Sequence, residues 1–337
     1  MADYILNMGG SIYDTVDVFK VTDNGVEHIT DHGLTLSVPR YNLAAVSCGN
    51  YILAMGGRDS SSVDVQTNAV DMFKVTANGV EHITDHALSL SVPRAYLAAA
   101  SCGKYVLAMG GYSGGYSGTI YDTVDVFKMT ANGIEHITDH GLTLSAARYN
   151  LAAASCGNYI LAMGGDANDG YSNAVDVFKV TDNGIEHILD HGLTLSAARD
   201  YLVAASCGEY ILAMGGYANA SYFNSVDVFK VTESGIEHIT DHGLTLRAAR
   251  TYLAAASCGE YVLAMGGDNG GYSGTIYDTV DVFKVTANGI EHITDHGLTL
   301  SVPRHYLSSA SAGNYILAMG GSNATGDTNT VDVFQVL

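Results

Sequence analysis

Two short apolar runs separated by a glycine-led break set the pattern of this chain: Leu43 to Gly49 reads LAAVSCG and Tyr51 to Gly57 reads YILAMGG. The break at Gly49 and Asn50 is a two-residue hairpin signal, so the runs are expected to pair as adjacent antiparallel strands. Both are apolar at consecutive positions, the mark of strands covered on both faces. After a polar stretch from Arg58 to Asn68, the segment Ala69 to Thr76 (AVDMFKVT) predicts a third strand, and the Asn78-Gly79 turn leads to a fourth around Val80 to Thr84. No stretch carries the i, i+3, i+4 spacing of a helix over a useful length, and glycine punctuates every unit.

The pattern repeats along the whole chain. Glycine pairs fall at 9, 56, 110, 164, 215, 266 and 320, with no linker or shift of composition between them. The units divide as a partial first copy (1–39), full copies at 40–93, 94–147, 148–198, 199–249 and 250–303, and a partial last copy (304–337). Four-stranded antiparallel units of this length, each able to bury its faces only against its neighbours, predict an all-β propeller forming a single domain.

The motifs resemble kelch repeats, in which an apolar strand ends in a glycine pair, a tyrosine and a tryptophan follow at fixed spacing, and an arginine opens the next unit. AMGG supplies the glycine pair, Phe73 stands at the tyrosine position, Val80 seven residues later replaces the tryptophan, and Pro93-Arg94 matches the closing element. The replacement recurs in each of the first six copies, as Phe127 with Ile134 and Phe283 with Ile290, and the chain has no tryptophan. Loss of the indole removes a large apolar contact between blades.

The resemblance also implies a way of closing the ring, because kelch-like propellers often begin at the second strand of a blade and let a C-terminal first strand complete it. Here the chain opens with MADYILNMGG, at a second strand. The strand count is two more than six four-stranded blades need and two fewer than seven. We take seven blades, with two of them one strand short; in the six-bladed alternative Tyr315 to Leu337 is left over. Redundant end strands with unpaired edges also raise a structural, self-assembling role and a homo-oligomer formed through them.

Composition narrows the partners. With 35 acidic against 15 basic residues the formal charge is -20, which disfavours nucleic acid and anionic membranes. No apolar stretch is long enough to span a bilayer as a helix. Cys48, Cys102, Cys156, Cys207 and Cys258 hold one equivalent position in successive units, where Ala312 stands in the last. Equivalent places in neighbouring blades are too far apart for disulfides, so we expect small buried thiols. Unpaired thiols and the lack of a leader-like N-terminus point to the cytoplasm, an extracellular or particle-associated setting being the alternative.

Six arginines, Arg40, Arg94, Arg148, Arg199, Arg250 and Arg304, recur at the start of the first strand, and VDVF or VDMF places an aspartate in every third strand. We expect a structural ring of ion pairs, the role the resemblance also implies. Two residues on, Asn42, Tyr96, Asn150, Tyr201, Tyr252 and Tyr306 would share the arginine's face of a strand and form a rim at the channel mouth. The loops after the glycine pairs vary most and begin with Arg58, Tyr112, Asp166, Tyr217 and Asp268. Rigid aromatic faces mixed with short hydrogen-bonding side chains suit a protein or a carbohydrate ligand.

Other chemistry is weakly signalled. Asp166, Asn168 and Asp169 lack the downstream glutamate of a calcium loop. The repeated EHITDH places two histidines four residues apart, as His28 with His32, which chelates zinc on a helix but spans roughly 13 Å on a strand. We therefore assign no metal and no cofactor and read these as outer-strand surface residues. Kelch-like propellers occur in copper-radical oxidases and sialic-acid mutarotases, so a sugar-active enzyme is an alternative. The only histidine outside the repeat is His305, a lone candidate acid or base. The expectation is a non-catalytic recognition scaffold.

Overall fold

The computed structural model describes residues 3–10, 13–59, 65–115, 118–270 and 274–337, and these form strands, turns and loops without a helix. Seven antiparallel sheets are arranged as blades. Five have four strands in the order of the chain, as in Ala98–Cys102, Tyr105–Met109, Val124–Thr130 and Gly133–Ile137. The first blade has three, Asp3–Met8, Val16–Thr22 and Gly25–Ile29, and so has the last, Ser308–Ala312, Tyr315–Met319 and Val331–Gln335. The seven-bladed reading holds, and the first strand of the last unit pairs within its own blade rather than completing the first.

The second strands are covered on both faces, as their unbroken apolar pattern requires: Tyr105–Met109 is buried at every position. The inner strands instead alternate, Ala98–Cys102 burying every other residue, because one face lines the central channel. Apolar clusters lie between blades. In one of them Leu53, Met55, Val70 and Met72 meet Val106, Ala108, Phe127 and Ile134 of the next blade. Phe127 fills the place of the expected tyrosine and Ile134 that of the tryptophan, so the interface is closed by aliphatic packing. The last such cluster joins Ile5 and Phe19 to Leu317 and Met319 and closes the ring.

The glycine pair has a steric reason. Gly57 donates its N–H to the Arg94 carbonyl at 2.9 Å, and Gly56 has a φ of 63°, where a Cβ would sit 2.5 Å from that same oxygen. Only glycine lets the strand turn under the arginine of the following unit.

At the other end of the channel the buried cysteines are free thiols. Each donates to the hairpin carbonyl of the next blade, as Cys102 Sγ to Gly157 O at 3.3 Å and Cys207 Sγ to Gly259 O at 3.2 Å. Burial pushes their pKa up, so they stay protonated donors. Ala312 faces the first blade, which presents no inner strand among the described residues. The same seam carries Asn7 where the other copies have alanine and Ser308 where they have alanine or valine, and Ser308 Oγ donates to Asn7 Oδ1 at 2.7 Å.

Candidate recognition site at the channel mouth

The six arginines are fully buried, and each reaches the aspartate of its own blade's third strand. Arg40 Nη2 lies 2.5 Å from Asp71 Oδ2, Arg94 Nη2 2.7 Å from Asp125, and Arg304 Nη1 2.6 Å from Asp332; Arg148 with Asp176, Arg199 with Asp227 and Arg250 with Asp281 repeat the pair. The guanidinium also donates to a second-strand carbonyl, as Arg94 Nη2 to Ala108 O at 3.0 Å. This layer ties the start of a unit to its sheet and offers no surface to a ligand.

A third partner was hidden in EHITDH. The first histidine of the motif lies on this layer: His187 Nε2 is 3.0 Å from Asp176 Oδ1, and its ring stacks on Phe178 at 4.6 Å between centroids. The second histidine accepts a backbone hydrogen bond at Nδ1, as His191 from Leu193 N at 2.9 Å. The outer-strand placement is correct, yet in the complete blades the first histidine is a packed member of an Arg–Asp–His unit rather than a surface residue. Among the described residues no group of three potential ligands is placed to hold a metal.

Above the arginines the chain departs from the expected strand. Asn42, Tyr96, Asn150, Tyr201, Tyr252 and Tyr306 all have left-handed backbones, with φ between 49° and 57°. The cause is a hydrogen-bonded belt around the mouth: Tyr96 N donates to Asn42 O, Asn150 N to Tyr96 O, Tyr201 N to Asn150 O and Tyr306 N to Tyr252 O, at 3.0 to 3.1 Å. Strand alternation therefore does not set which way these side chains point. Asparagine is at home in this conformation, whereas a tyrosine there costs about 1 kcal/mol.

Three of the tyrosines pack ring against ring in tilted pairs, while Tyr96 meets Tyr149 edge-on. Ring centroids of Tyr201 and Tyr252 are 4.4 Å apart and those of Tyr252 and Tyr306 4.0 Å, with Tyr306 half exposed. Burial, then the neighbouring phenols, pushes the Tyr252 pKa far up; burial and Asp200 do the same for Tyr201. Both stay neutral hydroxyls. Beneath them the channel is a bore of about 310 Å³ lined mostly by alanine and leucine, including Leu97, Ala98, Leu202 and Leu253.

The loop residues arrive at the same mouth. Each is bridged to the residue directly after an arginine: Arg58 to Tyr41, Tyr112 to Ala95, Asp166 to Tyr149, Tyr217 to Asp200 and Asp268 to Thr251. All eleven candidate positions thus fall at one end of the channel. The position after the arginine was overlooked except at His305. It reads Tyr41, Ala95, Tyr149, Asp200, Thr251 and His305, more variable between copies than the rim itself, and that variability was the available signal.

These residues form the polar part of the mouth. Tyr149 donates its hydroxyl to Asp166 Oδ2 at 2.9 Å, Asn150 Nδ2 lies 3.4 Å from Asp200 Oδ2, and His305 Nδ1 contacts Asp268 Oδ2. Asp200 is almost wholly buried, and burial, with Asp166 nearby, pushes its pKa to about 7 against the opposing Asn150 amide. Parts of the variable loops, 11–12, 60–64, 116–117 and 271–273, lie outside the described residues.

Comparison with known proteins agrees with this architecture. A family profile, the KLHDC2/KLHL20/DRC7 Kelch-repeats domain, matches residues 97–321. The chain belongs to the kelch-repeat family. Among solved structures it is similar to the one titled "Structure of YjhT", with a TM-score of 0.62 at 12% identity, covering 89% of this chain and 96% of that one. That likeness is one of fold. No curated protein matches the sequence. Kelch propellers are in general protein-binding scaffolds, and no helix among the described residues is long and apolar enough to cross a membrane.

Proposed function

We propose that this kelch propeller is a non-catalytic recognition scaffold that docks a segment of a protein partner on the tyrosine-rimmed mouth of its channel. The observation that carries the reading is the set of four tyrosines held in a left-handed backbone that the same array fills elsewhere with asparagine. The fold does not ask for tyrosine there and is strained by it, so the side chains serve something other than the fold. Closely packed phenol rings beside Asp166, Asp200 and Asp268, on a chain of charge -20, suit a basic segment, which the net charge would also steer. A carbohydrate is the second reading, favoured by the Asn42 and Asn150 amides beside the aromatic faces.

The test presents the full chain, and a variant with Tyr96, Tyr201, Tyr252 and Tyr306 all changed to Asn, to a phage-displayed random-peptide library and a panel of oligosaccharides. The proposal expects Lys- or Arg-containing peptides enriched on the parent alone. Equal enrichment on the variant would remove the mouth as the site. Retention of oligosaccharides without peptides would replace the protein partner with a sugar.

A further inference from the structure

One carboxylate at the channel mouth has incomplete bonding. Asp200 is 3% exposed; the Asn150 amide lies 3.4 Å from its Oδ2, while its Oδ1 accepts no hydrogen bond among the described residues. A buried acceptor left open is costly, and native interiors rarely carry one without a use. The ring does not require it, because the same position reads Tyr41, Ala95, Tyr149, Thr251 and His305 in the other copies.

Its surroundings come from two adjacent blades. On one, Tyr149 and Asp166 exchange both backbone hydrogen bonds, at 3.0 and 2.8 Å, and the Tyr149 hydroxyl donates to Asp166 Oδ2 at 2.9 Å. On the other, Asp200 exchanges the same two bonds with Tyr217, at 3.0 and 2.9 Å. The belt bond from Tyr201 N to Asn150 O, at 3.1 Å, sets these pairs side by side across the seam, near enough for the Asp166 charge to act on Asp200. Tyr171, opposite Asp166 in its hairpin, meets the Tyr217 ring edge-on at 5.9 Å, and both acids act on its phenol. Two carboxylates thus sit beside a wall of aromatic rings, with no cation against Asp200 among the described residues.

We propose that this seam is a subsite for one primary ammonium group, the side chain of a lysine in the docked segment, held between Asp200 Oδ1 and the Asp166 carboxylate with its methylene stem along Tyr171 and Tyr217. The assignment rests on the reading of the mouth as a peptide-docking surface and adds which side chain of the peptide enters it. The acceptors favour ammonium over guanidinium. Asn150 lies on Asp200 Oδ2 and Tyr149 on Asp166 Oδ2, so neither acid offers the pair of oxygens that an arginine fork takes, whereas a tetrahedral ammonium draws one bond from each. A slender stem that packs on apolar surface also suits an acceptor this deeply buried.

Saturation-transfer NMR and calorimetric titration of the full chain with the peptide Ac-Gly-Lys-Gly-NH2, its arginine counterpart and cadaverine test the subsite. The lysine peptide should saturate, bind more tightly than the arginine peptide and receive its strongest transfer at the ε-methylene. Asp200→Asn, which keeps the shape of the side chain, should weaken the lysine peptide about tenfold or more. No binding of the lysine peptide up to about 10 mM, equal binding by Asp200→Asn, or equal binding of the arginine peptide would overturn the proposal. Tighter binding of cadaverine would overturn it in favour of a free diamine. Lysine-containing library peptides that bind the parent and Asp200→Asn alike, but are lost from the four-tyrosine variant, would leave the mouth as the docking site and overturn the subsite alone; peptides retained by the four-tyrosine variant would be the failure of the mouth itself.

Discussion

Asp125 and Asp200 are both almost fully buried, and their environments drive them in opposite directions. For Asp125 burial alone would raise the pKa, yet the His136 contact, the Arg94 charge and the Ser91 hydrogen bonds outweigh it and hold the carboxyl below the usual range. Asp200 has no cation against it among the described residues; burial and Asp166 lift it to about 7. The first belongs to a unit repeated around the ring, the second occurs once. A buried carboxylate without a counter-charge costs stability, so its presence marks a position kept for another reason. In this molecule the repeated unit carries the buried ion pairs, and the polar residues of the channel mouth stand where the copies differ.

The hardest way to break the comparison is to remove a cation from the repeated layer. Arg199→Leu strands Asp227 in the interior and should cost about 3–5 kcal/mol, read as a large fall in the urea midpoint. A drop no larger than a surface substitution gives would mean the layer is not structural. Milder, His238→Ala removes the contact to Asp227 and the stack on Phe229 at 4.7 Å, and should cost about 1–2 kcal/mol by the same measurement.

Asp200→Asn sharpens the other side. An acid raised on folding stabilises the native state fully below its unfolded pKa, about 4, and that contribution is lost as pH rises toward 7. The variant should therefore lose part of the parent's decline in stability between those values and melt about 2 °C higher at pH 8. For Asp125 the sign is opposite: its lowered pKa contributes stability above about pH 4 that disappears on acidification. Melting curves across pH for Asp200→Asn and its parent check the sign, and identical profiles would deny Asp200 its buried, uncompensated state.

How much of this was legible beforehand follows the same division. The blades and the Arg–Asp pairs could be read because each signal is sampled in nearly every copy, whereas seven blades against six turned only on the strand count at the two incomplete ends. Alternation along a strand misjudged the rim, since the belt from Tyr96 N to Asn42 O is an interblade hydrogen bond and period-two patterning says nothing about those. His187 was misjudged because its partner, Asp176, lies diagonally across a strand pair, two positions from Phe178, the residue directly opposite the histidine. Asp200 was missed because it is singular, and Tyr149 because only Tyr41 shares its identity in a column that otherwise does not repeat. A residue present once carries no periodicity, and only a column-by-column comparison of the units isolates it.

The central claim is that the rim tyrosines are retained for recognition and not for the fold. Thermal unfolding of the variant carrying Tyr96→Asn, Tyr201→Asn, Tyr252→Asn and Tyr306→Asn tests it most directly, since asparagine already fills this place at Asn42 and Asn150. Relief of left-handed strain should offset the lost stacking, and the account predicts a Tm within about 3 °C of the parent. A fall of about 10 °C or more would make the tyrosines part of the packing and contradict the account.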